Sequence, residues 1–195
     1  MKKIITISRE FGAGAGEIGK KVAEELGYTF YDKNIILRAA AESNVDVESI
    51  LEWDEKVSVD FRLAQSLFDF YHRPISEKVF AAQEDVIRQI GEKGNCVIVG
   101  RNANSILYHY DNSLHIFISA DAEWRKRRML EKYPGSTEKQ MAEQIVAIDK
   151  RRKKYCAYFT DTEFGDSRYY DLCVSTSRLG IDTVTDMIVE LARNN

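Results

Sequence analysis

Proline is nearly absent from this chain, with two residues in 195, and no stretch is rich in proline, glycine or serine. Nothing therefore marks a linker, an internal repeat or a low-complexity tract. Cysteine is scarce as well. Cys96, Cys156 and Cys173 lie far apart, form no CxxC pair and leave an odd thiol. Such usage suits buried or incidental thiols in a reducing compartment, not a disulfide framework. The three histidines, His72, His109 and His115, match no zinc spacing, so no metal site is expected from protein ligands. No apolar run approaches the ~20 residues of a membrane helix. The IITI after Lys2 and Lys3 is too short for a signal-peptide core. No membrane contact and a cytoplasmic location are the expectations. Charge of one sign is lacking too: the net charge of −3 argues against a dedicated nucleic-acid surface, although a local basic pocket remains compatible with it.

What is present is a globular balance, 44% hydrophobic and 30% charged, in a length that suits one α/β domain. Residues 3–8 (KIITIS) form an almost continuous apolar run, as in a strand covered on both faces. From Gly16 the period becomes helical, with Ile18, Val22 and Leu26 on one face and Gly27 as the stop. YTFYD is a second strand, and Asp32 is placed to cap a helix starting near Lys33. Residues 44–75 give no clear period. Their aromatic residues between Trp53 and Tyr71 suit either a dimer surface or the core of a subdomain, the latter preferred.

Beyond Pro74 the pattern is plain. Val79, Gln83, Val86, Ile87 and Ile90 share one face of a helix over Ser76–Lys93, closed by Gly94. NCVIVGR, LHIFIS and DLCVST are further strands. Asp121 heads the helix AEWRKRRMLEKY, and Thr137 with Gln140 predicts a capping box for a long basic helix to about Tyr158. Ile181, Val184, Ile188 and Leu191 form the apolar face of the last helix. Strands alternating with helices imply a parallel sheet covered on both faces, in a single domain over 1–195.

The opening loop admits three readings. G14-A15-G16-E17-I18-G19 matches the dinucleotide fingerprint GxGxxG, but SREFGA separates it from its strand and Asp32 comes too early for the acidic partner. A phosphate loop needs that extra length to turn backbone N–H groups around an anion, and ISREFGAGAGEIG fits it better. The glycines would otherwise serve only a tight strand–helix crossing. Arginines follow at later element ends: Arg101 after VIVG, Arg125 and Arg128 three apart, then Arg151 and Arg152. Gathered in one crevice they would clamp phosphates; spread apart they would be a solvated face. Asp32 and Arg38 are placed for a second ligand, with Asp32 alternatively only a helix cap.

Together these stretches resemble the cytidylate kinases, and more closely the bacterial cytidylate-kinase-like proteins. The likeness runs through ITISREFGAGAGEIGKKVAEELG, FYDKNIILRAA, VIVGRNAN, IFISADAEWRKRR, AIDKRRKKY and YYDLCVSTSRLGIDTV. It implies a three-layer α/β P-loop kinase fold, with a five-stranded parallel sheet, helices on both faces and a helical lid. The monophosphate segment would span about 32–75 and the lid about 134–168. It implies transfer of the ATP γ-phosphate to CMP or dCMP with Mg²⁺, and small-molecule nucleotides as partners of a monomer or homodimer. By the same resemblance Gly12, Ala13, Gly14, Ala15, Gly16 and Glu17 would wrap the ATP phosphates. Arg38 and Arg101 would meet the acceptor monophosphate, and Asp32 would shape its site. Arg125 and Arg128 would serve the donor phosphates, and Arg151 and Arg152 the lid. Asp149 would orient those arginines or the acceptor sugar.

The family loop reads roughly GPSGAGKGT. Laid over REFGAGAGE, its lysine falls on Ala15, its magnesium-side hydroxyl on Glu17 and its first glycine on Arg9, while GRD becomes GRN at Asn102. Loss of a point charge opposite the β/γ-phosphates removes transition-state stabilisation. Arg9 is the expected substitute; its alternative is an ion pair with Glu10 or Glu17. A nucleoside-monophosphate-kinase-like phosphotransferase is the leading expectation. The alternative is a nucleotide-binding protein of the same fold with little or no catalysis, acting as a sensor or partner-binding module.

Overall fold

The computed structural model describes residues 1–32, 34 and 77–194. Arg38, the expected helix after Asp32, the aromatic segment 53–71, Ser76 and the side chain of Val79 lie outside the described residues.

Five parallel strands stand in the order β2-β3-β1-β4-β5. They are β1 (Ile4–Arg9), β2 (Thr29–Tyr31), β3 (Cys96–Val99), β4 (Ser113–Ser119) and β5 (Leu172–Ser175). β1 is central and pairs with both β3 (Ile5 opposite Val97, Ile7 opposite Val99) and β4 (Ile5 opposite Leu114, Ile7 opposite Ile116). Its first five residues are buried, which is why it reads as a continuous apolar run rather than an alternating one.

The helices follow in order: α1 (Ala15–Leu26), α2 (Glu77–Lys93), α3 (Ala103–Ile106), α4 (Ala122–Lys132), α5 (Glu138–Thr160), α6 (Thr176–Leu179) and α7 (Ile181–Asn194). α1 and α7 cover one face: Ile18, Val22, Val184 and Ile188 pack on Ile5, Ile7 and Ile116. α2 and α3 cover the other, where Val86, Ile87, Ile90 and Leu107 pack on Ile4, Cys96 and Ile98. A third cluster joins Phe11 and Met129 to Met141, Ile145 and Ile148, and so fastens α4 and α5 to the loop after β1.

The end signals act locally. Gly27 (φ 68°) closes α1: its N–H donates to the Glu24 carbonyl at 3.2 Å, and that of Tyr28 to Ala23 at 2.8 Å. This double bond satisfies two carbonyls that a helix end leaves open. Thr137 and Gln140 form both bonds of the capping box that starts α5. Asp121 does stand at the N-cap of α4, but its side chain makes no capping bond there. Its own N–H donates to Ser177 Oγ at 3.0 Å, tying the helix start to α6 instead. The short helices α3 and α6, which have no periodic signal at four residues each, replace what reads as the end of a strand or a loop.

No described helix is long and apolar enough to cross a membrane. Among the described residues no three His, Cys, Asp or Glu side chains converge as a metal cluster.

Candidate functional site

Ligands of open parallel sheets sit beyond the carboxyl ends of the strands, and here that edge carries the glycine loop. The loop leaves β1 at Arg9 and enters α1 at Gly14, its N-cap. Gly12 (φ 82°) and Gly14 (φ 91°) hold the left-handed backbone that turns it. The space there is also filled: a Cβ on Gly12 would lie 2.9 Å from Met129 Cγ, and one on Gly14 3.0 Å from Ile181 Cδ1. Gly16 differs, since a Cβ there would meet nothing within 4 Å. The Gly14 carbonyl accepts the N–H groups of Glu17 and Ile18, so the amides of Ala15 and Gly16 belong to the open first turn of α1. A helix start of this kind favours an anion.

Long-range bonds fix the loop from behind. The Asp149 carboxylate, on α5, accepts the Phe11 N–H at 2.7 Å and pairs with Arg125 Nη1 at 2.5 Å. The same Arg125 nitrogen donates to the Phe11 carbonyl at 3.1 Å. Arg152 Nη1 donates to the Arg9 carbonyl at 2.9 Å, with its guanidinium 5.7 Å from the centre of the Phe11 ring. Thr176 Oγ1 donates to the Ala13 carbonyl at 2.8 Å, and the Ala120 N–H donates to Glu10 Oε2 at 3.1 Å. Arg125 and Asp149 also border a cleft of about 420 Å³ between α4 and α5.

The expected site residues thus take different places. Arg125 and Asp149 form a buried pair that bonds the loop backbone at Phe11, with Arg125 Nε also 3.7 Å from the Glu10 carboxylate. Arg128 stands at the loop mouth: it pairs with Glu17, lies 5.7 Å from the centre of the Trp124 ring, and its Cζ is 3.9 Å from the Cβ position of Gly14. Glu17 also approaches Lys21 at 3.6 Å, and Lys21 bonds Asp182 at 2.7 Å. Arg9 turns the other way. Its guanidinium fills the space that a Cβ on Gly100 would need, at the end of β3. Arg101 (φ 60°) is buried beside it, 5.9 Å from the centre of the Tyr155 ring. Arg151 is half-buried on α5. Ala13 and Ala15 are buried, and Ala15 brings no charge to the position of the family lysine. Asp32 Oδ1 accepts the Asn34 N–H at 2.9 Å, the bond of a helix cap.

Three contributors escape a reading of the sequence. Glu10, from the loop, accepts the Ala120 N–H after β4, and Thr176 bonds the loop backbone at Ala13, each across more than 100 residues and with no local motif. Gln83 reads as one more core position of α2, yet it is a carboxamide at 1% exposure. Neither of its amide atoms has a hydrogen-bond partner among the described residues; the same holds for Asn102 Nδ2. A buried polar group without a partner costs on the order of 1–3 kcal/mol.

Strand order, glycine loop and flanking arginines define a P-loop kinase fold, and comparison with solved structures agrees. An uncharacterized protein from Eubacterium ventriosum superposes with a TM-score of 0.76 at 28% identity, covering 98% of this chain and 99% of that one. Shikimate kinase from Bacteroides thetaiotaomicron shares the fold at a TM-score of 0.55 and 14% identity, with 99% of each chain covered. The chain belongs to the Cytidylate kinase-like family, which it matches over residues 4–178. A cytidylate kinase from Halobacterium salinarum is 24% identical over 191 residues, covering 96% of this chain and 88% of that protein.

Proposed function

We propose that the protein is a phosphotransferase that moves the terminal phosphoryl group of ATP to a nucleoside monophosphate, with CMP the first acceptor to test. The observation that carries this reading is the glycine loop held open at the start of α1, with Arg128 on one side and Arg9 and Arg101 on the other. Family membership and the fold shared with shikimate kinase support a nucleotide-kinase activity.

In this reading the amides of Ala15 and Gly16 and the guanidinium of Arg128 bind the donor phosphates. Arg101 draws the acceptor phosphate to the end of β3, and an acceptor phosphate oxygen attacks the γ-phosphorus as the bond to the β-phosphate oxygen breaks and ADP leaves. Arg128 is better placed than Arg9 to answer for the missing lysine, because its guanidinium already stands over Gly14. Arg9, on Gly100, is placed for the acceptor side. Arg125, Asp149, Arg152 and Thr176 hold the loop in shape, which is most of what a phosphoryl-transfer site requires of its scaffold. A hard cation takes carboxylate oxygen, and at phosphoryl-transfer sites one or two carboxylates with phosphate oxygens suffice. Glu17, half-exposed where the family hydroxyl stands, fits that part and would hold Mg²⁺. Mg²⁺ when bound neutralises charge on the transferred phosphoryl group.

A second reading, nucleotide binding without catalysis, is favoured by Ala15 and by the Glu17–Arg128 pair, which lowers the net positive charge at the loop. Release of ADP from ATP and Mg²⁺ with CMP, dCMP, UMP, AMP and GMP, followed by a coupled assay, separates the two. Turnover with a monophosphate supports the kinase. Tight ATP binding with no ADP from any acceptor supports the second reading.

A further inference from the structure

The buried face of α2 is a stripe of Gln83, Ile87 and Ile90, at 1%, 0% and 7% exposure. Ile90 and its neighbours pack on Ile4 and Cys96, at the start of the central strands. Gln83 lies seven residues back along α2, about 10 Å at 1.5 Å per residue. That length is about three strand steps at about 3.3 Å each, the distance from Cys96 to Val99, the last residue of β3. A helix that precedes its strand runs antiparallel to it, so Gln83 stands toward the carboxyl edge of the sheet, at about the level of Val99, the residue before Gly100 and Arg101.

The surroundings on this face are polar and aromatic. Ser8 Oγ donates to Asn104 Oδ1 at 3.1 Å, with both residues buried. One turn from Gln83, the Phe80 ring stacks on Phe159 at 4.0 Å and meets Tyr155 edge-on at 6.1 Å. Tyr155 in turn packs under Arg101. A leucine would complete the apolar stripe without penalty. The chain instead carries a carboxamide whose Oε1 and Nε2 both lack partners among the described residues, at the edge where ligands bind.

We propose that Gln83 reads the base of the acceptor nucleotide, its Oε1 and Nε2 pairing with a donor and an adjacent acceptor on one base edge, next to Arg101 and the Phe80 and Tyr155 rings. Cytosine offers such an edge in its N4 amino group and N3. A carboxamide can turn over to serve other bases with a neighbouring donor and acceptor, so Gln83 demands a base without by itself choosing which. The Phe80–Phe159 stack beside it parts as the base enters, a substrate-linked rearrangement of the kind that completes a site around its substrate. The inference rests on the acceptor reading of Arg101 but not on catalysis.

The test measures binding to the full chain by calorimetry, without ATP, for CMP, UMP, AMP, GMP and ribose 5-phosphate. The variants are Gln83→Met, close in shape, and Gln83→Leu, with melting temperatures recorded alongside. The wild type is expected to bind at least one monophosphate, CMP first, about tenfold or more tighter than ribose 5-phosphate. Gln83→Met should lose most of that ratio while keeping its affinity for ribose 5-phosphate and a melting temperature at or above wild type. An unchanged ratio in both variants overturns the proposal; with a raised melting temperature, it means the amide holds only water. A wild type that binds no monophosphate better than ribose 5-phosphate overturns it too. Failure of phosphoryl transfer with the base preference intact would strike the kinase reading alone.

Discussion

The Asp149 carboxylate on α5 accepts the backbone N–H of Phe11 from the loop after β1, 138 residues away, at 2.7 Å. Its other oxygen pairs with Arg125 at 2.5 Å, and both side chains are nearly out of reach of water. The shape of the glycine loop therefore depends on a helix far along the chain. Removing one member of a buried, hydrogen-bonded pair strands the other charge.

Asp149→Ala should accordingly destabilise the protein by about 3–5 kcal/mol, read as a large drop in denaturant midpoint with an unchanged slope. Asp149→Leu combined with Arg125→Met should recover much of the loss. If the double variant is no more stable than Asp149→Ala, the pair is not the source of the cost.

Two glycines of the loop should respond in opposite ways. Gly14→Ala places a Cβ at φ 91° and 3.0 Å from Ile181, so stability should fall by roughly 1–2 kcal/mol along with ATP affinity. Gly16→Ala meets nothing in the protein and gains helix propensity, so its melting temperature should hold or rise. Its ATP affinity should still fall about tenfold, since a methyl group there blocks close approach of phosphate to the backbone. Unimpaired ATP binding in Gly16→Ala would place the phosphates elsewhere.

Arg128 and Glu17 form a partly exposed pair, worth at most about 1 kcal/mol to folding. Arg128→Ala should leave stability nearly unchanged but weaken ATP binding about tenfold, an effect that shrinks as salt is raised. Glu17→Gln should tighten ATP binding in the absence of Mg²⁺ by removing a carboxylate from beside the triphosphate. Equal ATP affinity in wild type and Arg128→Ala at low salt would remove Arg128 from the donor site.

His115 sits within β4, with Nδ1 2.7 Å from Thr6 Oγ1 and Nε2 2.9 Å from Ser113 Oγ. Burial holds its pKa below the ordinary 6.5 and outweighs the nearby Asp171 carboxylate. The folded state thus binds fewer protons than the unfolded state just below pH 6.5. The stability contributed by the neutral ring is whole above that pH and is lost as the pH falls toward the lowered folded value. Thermal melts between about pH 7.5 and 5, taken at steps of about 0.5 unit, should show this acid-side slope, reduced in His115→Gln. Parallel curves for the two proteins would mean that carboxylates alone set it.

Much of the scaffold is legible in the chain because its signals are local. Ile4 to Ile7 announce a strand buried on both faces, Thr137 and Gln140 are three residues apart, and Gly27 follows the last apolar residue of α1. The arginines are legible as charges but not as contacts. Arg125 and Arg128, three residues apart on α4, are divided by helical geometry between the back of the loop and its mouth. Arg9 heads for Gly100 because the end of β3, its sheet neighbour, offers a surface with no side chain. Thr176 reaches the loop carbonyl of Ala13, and Glu10 reaches from the loop to the Ala120 N–H, through tertiary packing alone, which no spacing in the sequence encodes.

Helix α5 presents Asp149, Arg152, Tyr155 and Phe159 at steps of three and four residues, and these meet Phe11, the Arg9 carbonyl, Arg101 and Phe80 in turn. Such spacing makes the helix a ruler laid across the loop and the end of β3. One residue inserted between 149 and 159 would swing everything beyond it by about 100°, so contacts on one side of the insertion could be kept only by losing those on the other. At Asp161 the backbone leaves the helix through a left-handed turn (φ 49°), where added length no longer turns the ruler. Changes in chain length among relatives of this protein should therefore gather after Thr160 or before Thr137, with the nine residues between Asp149 and Phe159 kept at constant length.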